Sequence, residues 1–255
     1  MANGVELTTY VEKENNREDQ FKQIWSEELN DVFADVAKYY DRANWVASFG
    51  LWGWLHRSFI SMIELAPGTK ALDVCAGTNA IGIAMLKKEP GITVQAIDRS
   101  QAMQDVGRQR AQKQGFHIES SIGDVHELPF PDNHFDVVTL QYASRHLRIV
   151  EVFKEIHRVL KPGGHFYHSD MLRPESRIVE FLYYSYLRFC LAVTGWLFRS
   201  SPAALACKKY FINALSMFYS SGEMSDLLRQ LGFTNIKNKN MLLGMIGFHR
   251  GVKPE

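Results

Sequence analysis

The residues most able to do chemistry in this sequence are two aspartates and a turn of small residues between them. Asp73 stands in an apolar run, and Asp98 ends the next apolar run, 98 − 73 = 25 residues further on. The small residues 76–79 follow the first run, and helical spacing of apolar residues then begins at Ile81. A carboxylate placed like Asp98 accepts hydrogen bonds from both hydroxyls of a ribose, while backbone N–H groups at a helix start attract a negative group. The pattern predicts a ligand with both features, lying over residues 76–79.

The glycines of this turn indicate which ligand it suits. Only Gly77 and Gly82 are present, so the G-x-G-x-x-G fingerprint of dinucleotide binding is missing. A ligand with a carboxylate instead of a pyrophosphate demands less of the loop, and S-adenosylmethionine is the common one. The turn alone would also suit a plain strand-turn-helix unit, and Asp98 favours the cofactor. Asp124 follows a later strand and is expected to reach the adenine edge.

The elements that must position these residues alternate between strand and helix. Helices are predicted at about 79–88, 100–113 and 149–159, and strands at 71–76, 93–98, 117–123, 135–142 and 164–170, with a strand pair from Phe233 to the end. This order predicts an α/β fold with a doubly wound, seven-stranded, mostly parallel sheet, Rossmann-like in type.

The chain divides by composition into three parts. Residues 1–18 are polar and are expected to be flexible. Residues 19–66 have a helical pattern rich in aromatic rings, which predicts a helical cap; the rings suit either packing or a wall for a flat, apolar substrate. Residues 67–255 are expected to form the cofactor-binding domain, with a helical insertion at about 174–220 that completes the substrate pocket.

Composition and charge narrow the classes of function. The 255 residues carry a formal net charge of +1 and no basic run, so no nucleic-acid partner is expected. The three cysteines lack C-x-x-C spacing and are interpreted as reduced residues of a cytosolic protein. No H-E-x-x-H spacing occurs, and the histidines at 165 and 168 lie in a predicted strand, so no metal site is predicted. The first residues carry no apolar secretory segment, so a cytoplasmic location is expected.

The segment Ile178–Phe198 is almost continuously apolar and is just long enough to span a bilayer. Arg188 lies near its middle, where an arginine costs about 2.5–3.5 kcal/mol on insertion scales, and Glu180 adds to that cost. We therefore expect a helix packed over the active-site face. Its tyrosines and Trp196 suit shallow, peripheral contact with a membrane surface.

Several motifs resemble those of the class I S-adenosylmethionine-dependent methyltransferases, and within them the ubiquinone/menaquinone biosynthesis C-methyltransferase family. LPFPDNHFDVV (128–138) and RVLKPGG (158–164) are typical of the broad class. YD with a following asparagine (40–44), SFG (48–50) and HRG (249–251) are specific to the family. The resemblance extends from about Phe33 to Lys253.

The resemblance implies S-adenosylmethionine as the cofactor, with contacts from Thr78, Asp98, Asp124, Val125 and Gln141. The turn argument adds Asp73 and Gly77. Arg145 and Tyr40 fall on family positions that line a quinol pocket, and His146 stands where the family usually has asparagine. The turn reads AGTNA where GGTGD is usual, so Asn79 is expected to bring a side chain toward the methionine end of the cofactor.

The function implied by the resemblance is C-methylation of a polyprenylated quinol, either demethylmenaquinol or the ubiquinone precursor. Two alternatives stay open: a methyltransferase for another aromatic metabolite, and a non-catalytic cofactor-binding scaffold subunit, which Asn79 motivates. A homodimer also stays open.

Methyl transfer to carbon needs an electron-rich ring, so the acceptor is expected to be the reduced quinol after loss of a hydroxyl proton. Arg145 would stabilise the phenolate, since a guanidinium stays charged; a structural ion pair is the alternative for this residue. His146 would act as the base, directly or through water. Tyr40 would hydrogen-bond the second oxygen.

Overall fold

The strands predicted from the apolar runs form one sheet. The computed structural model describes residues 6–25, 29–48, 50–197 and 210–255. The strands are β1 (Lys70–Val74), β2 (Thr93–Asp98), β3 (Glu119–Ile122), β4 (Phe135–Gln141), β5 (Leu160–Met171), β6 (Thr234–Met241) and β7 (Ile246–Val252). Their order is β3-β2-β1-β4-β5-β7-β6, with β7 antiparallel to both of its neighbours and β1 to β5 parallel. The predicted doubly wound, mostly parallel seven-stranded fold is confirmed.

Helices pack on both faces of this sheet. The helices are α1 (Leu7–Gln23), α2 (Leu29–Val36), α3 (Tyr40–Ala47), α4 (Leu51–Met62), α5 (Ala80–Lys88), α6 (Gln101–Lys113), α7 (Ile149–Val159), α8 (Arg177–Leu197), α9 (residues 210–216) and α10 (Ser221–Gln230). Successive side chains of a strand point to opposite faces. Leu72 and Val74 accordingly pack in a core with α7 and α10, whereas Ala71 packs in another with α4 and α5.

The N-terminal segment differs from its predicted flexibility. Residues 7–23 form helix α1, and its inner face is buried at Tyr10, Glu14, Arg17 and Phe21. The prediction of a flexible segment over residues 1–18 is therefore wrong for residues 7–18. The error has a physical reason: two of the four inward positions carry charges, and they are buried because they pair with each other and with main-chain groups rather than with solvent.

The helices of the predicted cap (α2, α3 and α4) and of the predicted insertion (α8 and α9) meet above the carboxyl ends of the strands. Helix α3 packs against α8, and α2 packs against α6. Phe49 of the SFG motif, Phe198 and Cys207 lie outside the described residues, as does the side chain of Trp196. Within the described ranges, every helix is too short or too polar to cross a membrane.

Candidate active site

The predicted site residues lie at one edge of the sheet. The direction in which successive strands are added to the sheet reverses between β1 and β4. From β1 the chain adds β2 and β3 on one side, and it then crosses to add β4 and β5 on the other. A crevice forms outside the carboxyl ends of parallel strands at such a point. The turn after β1, Asp98 at the end of β2 and Gln141 at the end of β4 border this crevice.

Three adjoining cavities occupy the crevice. The first, about 120 Å³, is lined by Asp73, Gly77, Thr78, Asp98 and Gln141, together with Tyr40 and His146. The second, about 310 Å³, is lined by Asp98, Asp124, Val125 and His146. The third, about 150 Å³, is lined by Tyr40, Arg145 and His146. The structure thus brings all ten predicted residues together, and His146 borders every cavity. We call the first the cofactor cavity and the third the acceptor cavity.

The turn after β1 is built from residues with positive φ. Cys75, Gly77 and Asn79 have φ of 54°, 51° and 54°. Asp98 holds this turn, because its Oδ2 accepts a hydrogen bond from the Gly77 N–H at 2.8 Å and its Oδ1 accepts one from the Ser100 N–H at 2.8 Å. Burial raises the pKa of the Asp98 carboxyl. The carboxylate therefore shapes the loop as well as facing the cavity.

Asn79 points away from the cofactor cavity, which corrects the expectation from the sequence. Its Oδ1 accepts a hydrogen bond from Gln104 Nε2 at 3.2 Å, and its Nδ2 donates to Ser120 Oγ at 3.4 Å. Gly107 of α6 makes room for it, since a Cβ there would lie 2.8 Å from Asn79 Nδ2. Asn79 takes the left-handed conformation more readily than most residues, and its side chain anchors the loop to α6. The motive for the scaffold interpretation is thereby removed.

Asp73 borders the cofactor cavity and has one oxygen without a full hydrogen bond. Its Oδ1 accepts a hydrogen bond from Thr139 Oγ1 at 2.7 Å, whereas its Oδ2 is buried and, among the described residues, has only the backbone of Gly82 beside it as a polar neighbour. Burial raises the pKa of this carboxyl to about 7. A buried acceptor of this kind suits a cationic ligand, and S-adenosylmethionine carries an ammonium and a sulfonium. The residues present therefore fit the cofactor.

An ion pair and a hydrogen bond, which we together call the latch, join helix α3 of the cap to the loop after β1. Arg110 of α6 pairs with Asp41 of α3 and donates a hydrogen bond to Thr78 Oγ1 at 2.8 Å. Thr78 is held in this way rather than facing the cavity with a free hydroxyl. Sequence reasoning missed the latch, because its three members are far apart in the chain and no local pattern connects them.

Arg145 is engaged in a buried ion pair. Its Nη1 donates to Asp170 Oδ1 at 2.5 Å and to the Tyr142 carbonyl at 2.8 Å, and its guanidinium lies 4.9 Å from the centre of the Phe211 ring. The structural ion pair that the sequence left as an alternative is present. The guanidinium still borders the acceptor cavity.

His146 is held by a hydroxyl and surrounded by rings. Its Nδ1 lies 2.5 Å from the Tyr210 hydroxyl, which also accepts a hydrogen bond from Trp25 Nε1 at 2.8 Å. The Phe33 ring stands edge-on, with 5.9 Å between ring centres. Burial, with Arg145 and Arg17 nearby, holds the pKa of His146 well below its ordinary value. The imidazole is therefore neutral near pH 7, and burial raises the pKa of the Tyr40 hydroxyl beside it.

A buried polar chain leads from Asp170 to the far side of β7. Its links are Asp170 to Ser144 (2.6 Å), Ser144 to His168 (2.6 Å), His168 to His249 (3.5 Å), His249 to Ser221 (3.2 Å) and Ser221 to Asn238 (3.1 Å). A carboxylate only accepts hydrogen bonds, so Ser144 donates to Asp170 and accepts from His168. The direction of the later links depends on the His249 tautomer, because His249 Nε2 also lies 3.2 Å from the Ser221 carbonyl, which only accepts hydrogen bonds. No sequence spacing indicates this chain of hydrogen bonds, because its members lie on separate strands, turns and helices.

Known proteins with a similar sequence indicate the family of this chain. The sequence pattern of the ubiE/COQ5 methyltransferase family matches residues 21–253. The demethylmenaquinone methyltransferase of Anoxybacillus flavithermus is 32% identical, over 92% of this chain and 99% of that protein. The mitochondrial 2-methoxy-6-polyprenyl-1,4-benzoquinol methylase of Caenorhabditis elegans is 29% identical, over 89% of this chain and 80% of that protein.

Solved structures agree at the level of the fold. The phosphoethanolamine N-methyltransferase 2 of Haemonchus contortus, in complex with S-adenosyl-L-methionine, superposes with a TM-score of 0.60 at 17% identity, over 79% of this chain and 52% of that one. The sheet order, the loop after β1 and the family pattern over almost the whole chain lead to one conclusion. The protein is an S-adenosylmethionine-dependent methyltransferase, and the chain belongs to the ubiE/COQ5 methyltransferase family.

Proposed function

We propose that the protein transfers a methyl group to a ring carbon of a polyprenylated quinol. The acceptor cavity carries this proposal: it is lined by the rings of Phe33, Trp52, Tyr142 and Phe211 and adjoins the cofactor cavity. Flat apolar walls with few polar groups suit an aromatic ring bearing hydroxyls. The named substrates of the two relatives, a demethylmenaquinone and a polyprenyl benzoquinol, are of this chemical class.

The cofactor cavity supplies the groups that would hold S-adenosylmethionine. Asp98 is placed for the ribose hydroxyls, Asp73 Oδ2 for the cationic methionine end, and the loop at 77–78 for its carboxylate. Asp124 and Val125 in the second cavity are assigned to the adenine, and Gln141, which lines the cofactor cavity, to a further contact with the cofactor. When bound, S-adenosylmethionine supplies an electrophilic methyl group, so the chain's task is to align and activate the acceptor.

His146 is assigned the role of base. A neutral imidazole can take the quinol hydroxyl proton on Nε2 if Nδ1–H donates to the Tyr210 oxygen, and the contact at Nδ1 permits this tautomer. The resulting phenolate raises electron density at the ring carbon. With S-adenosylmethionine bound, that ring carbon would accept the methyl group as the carbon–sulfur bond breaks, with its electron pair left on sulfur. The proton of the ring carbon would return to the ring oxygen, and His146 would release the hydroxyl proton to solvent.

Arg145 and Tyr40 are assigned to the acceptor oxygens. The guanidinium is already balanced by Asp170, so its attraction for a phenolate is smaller than that of an unpaired arginine. Tyr40 borders both the cofactor and the acceptor cavities. Its hydroxyl is neutral near pH 7, because its pKa is raised, and is suited to donate a hydrogen bond to the second oxygen.

The test compares reduced and oxidised acceptors. Methyl transfer from labelled S-adenosylmethionine is expected with a short-chain demethylmenaquinol under reductant and not with the same quinone under air. Equal rates on both forms would contradict the mechanism. Methylation of small hydroxylated aromatics without any quinol activity would instead support the alternative acceptor class.

Variants separate the residue roles. His146→Ala is expected to lower kcat by about a hundredfold, with little change in cofactor affinity. Arg145→Ala leaves Asp170 buried and unpaired, so the informative variant is Arg145→Met combined with Asp170→Asn. A kcat in that double variant equal to that of the wild type would remove Arg145 from the reaction.

We also propose that the acceptor is reached from a lipid bilayer. Ile178, Phe181, Leu182 and Phe189 of α8 form an exposed apolar stripe at helical spacing, and Phe181 is 70% exposed. Helix α3, which packs against α8, exposes Trp45. Apolar and aromatic side chains of this kind bind the membrane interface.

Flotation with liposomes tests this surface. Wild-type protein is expected to float with vesicles, and Phe181→Ser combined with Phe189→Ser to remain in solution with unchanged methylation of a short-chain, water-soluble quinol. Val11→Ser, at an exposed apolar residue of α1, is the matched control. Wild-type protein that never floats would contradict the proposal, and a dimer lost in the double variant would show instead that a second copy covers the stripe.

A further inference from the structure

Helix α1 buries a charged side chain against the turn that carries Arg145 and His146. Arg17 is 0% exposed and heads the fully buried side chains by volume. A buried charge is costly unless it is paired and hydrogen-bonded. The hydrogen-bond partners of Arg17 therefore show which part of the structure the buried guanidinium stabilises.

These partners are main-chain carbonyls of the catalytic turn. Arg17 Nη2 donates to the Arg145 carbonyl at 2.7 Å, and Nη1 approaches the Leu147 carbonyl at 3.4 Å. The two carbonyls lie on either side of His146. Arg145 is thus held at two points, since Arg17 binds its carbonyl and Asp170 binds its guanidinium.

Glu14 extends this support to the helix that follows the turn. Its Oε1 accepts from Arg17 Nη1 at 2.6 Å and from the Tyr219 hydroxyl at 2.7 Å, while its Oε2 accepts from the Ile149 N–H at 2.6 Å. Ile149 is the first residue of α7, so Glu14 satisfies a backbone N–H at the start of that helix. Residues 145–149 are therefore fixed from α1 at three main-chain groups.

We propose that Arg17 is a positioning residue for methyl transfer, which fixes the main chain at 145–147 so that Arg145 and His146 face the acceptor. This proposal rests on the proposed function, because it assigns the reaction to that turn. Arg17 precedes residues 21–253, the segment that matches the family pattern. Its positive charge also adds to the lowering of the pKa of His146.

The experiment compares three variants with wild-type protein. Glu14→Gln combined with Arg17→Met removes the guanidinium without leaving a buried unpaired carboxylate. Arg17→Lys keeps the positive charge but has fewer hydrogen-bond donors, and it disturbs folding less than the double variant does. Lys13→Met is the matched control, because Lys13 ties the same helix to Glu223 at 2.9 Å, away from the turn.

The double variant is expected to lower kcat by about tenfold to a hundredfold, as misplacement of a reacting group does, with the Kd for S-adenosylmethionine unchanged. The acid limb of its pH profile should move to higher pH, because a positive charge near His146 is gone. Arg17→Lys should keep the acid limb and recover part of kcat. Lys13→Met should change neither quantity, although it lowers stability.

Two outcomes would overturn the inference: a wild-type kcat and acid limb in both Arg17 variants, or a loss in Lys13→Met as large as in the double variant. Amide hydrogen exchange at 145–149 and the NMR titration of His146 need no acceptor. Faster exchange confined to that turn, with a raised pKa of His146, supports the inference even if every quinol fails as substrate. Unchanged exchange and titration refute it independently of the proposed function.

Discussion

At the scale of single residues, the assignment of Asp73 to the cationic end of S-adenosylmethionine predicts that cofactor affinity depends on pH. With a pKa of about 7, its carboxyl is mostly protonated at about pH 6 and mostly ionised at about pH 8. A bound cation favours the ionised form, so S-adenosylmethionine is expected to bind more tightly as pH rises through this range and to release a proton on binding. Calorimetry in buffers of different ionisation enthalpy measures both effects.

Asp73→Asn is the control for this coupling. The amide has a similar shape but does not titrate, so the pH dependence of the Kd should flatten and the proton release should disappear. A wild-type Kd that is independent of pH between about 6 and about 8 would show that Asp73 stays in one charge state when the ligand binds.

Asn79 supplies a second prediction at this scale. Asn79→Gly keeps the left-handed backbone and removes the amide that binds Gln104 and Ser120. We expect the free energy of unfolding to fall by about 1 kcal/mol, with the cofactor affinity unchanged, because the side chain points away from the cavity. Urea denaturation and calorimetry measure the two quantities. A large loss of affinity without loss of stability would mean that the side chain contacts the ligand.

These residues also show how far a sequence argument reaches. Asp73, Gly77 and Asp98 follow from local pattern, since each stands at a defined point of a strand or turn. The direction of the Asn79 side chain depends on Gly107, which lies 28 residues away on another helix. The engagement of Arg145 by Asp170 depends on strand pairing. No local pattern carries that information.

At the scale of elements, the latch between α3 and α6 should govern the lifetime of the bound cofactor. Arg110 joins Asp41 of the cap to Thr78 of the loop. Arg110→Met is expected to raise the dissociation rate of S-adenosylmethionine severalfold. The free energy of unfolding should change by less than about 1 kcal/mol, since both partners are about one-third exposed.

The same helix provides a matched control for the latch. Arg108 pairs with Asp105 on the outer side of α6, where both groups are exposed, and it lines none of the three cavities. Arg108→Met should leave the dissociation rate unchanged in stopped-flow measurements. Equal effects of the two substitutions would mean that net charge, rather than the latch, controls release.

Element boundaries were predictable where apolar periodicity was strong, and α1 shows where this fails. Helix α7, with its apolar face, occupies the predicted residues 149–159. Helix α1 has charges at Glu14 and Arg17 on its buried face, so its pattern resembles that of a solvated segment. Its docking is specified by groups more than 100 residues away.

At the scale of the whole molecule, buried histidines lower the stability in acid. Burial lowers the pKa of His168 and of His249 to about 3, whereas the unfolded value is about 6.5. The unfolded state therefore binds more protons at these groups between about pH 3 and 6.5, and stability falls as pH drops through that window. Asp73 has the opposite effect on stability between pH 7 and 3.8, because its carboxyl stays protonated in the folded state and ionises in the unfolded state.

His146, whose pKa burial also holds well below its ordinary value, adds a third histidine of this kind, so three histidines against one aspartate give an uptake of at least one proton on unfolding. The free energy of unfolding is expected to fall by at least about 1.4 kcal/mol per pH unit between about pH 6 and 4.5. Urea denaturation at three pH values measures this slope. His168→Leu combined with His249→Leu should flatten or reverse it, whereas an unchanged slope in that variant would place the titration elsewhere.

The bond between Glu14 and Tyr219 has a consequence for biosynthesis. The two residues are 205 positions apart, and at about 5–20 residues per second a ribosome needs roughly 10–40 s to pass from one to the other. During that interval α1 has emerged but lacks one of the groups that receive its buried charges. The sheet around β1 and β2 is complete in sequence much earlier. A nascent chain should therefore form the loop after β1 well before the turn at 145–147 becomes rigid, so that, under the proposed function, methyl transfer is the last property to mature.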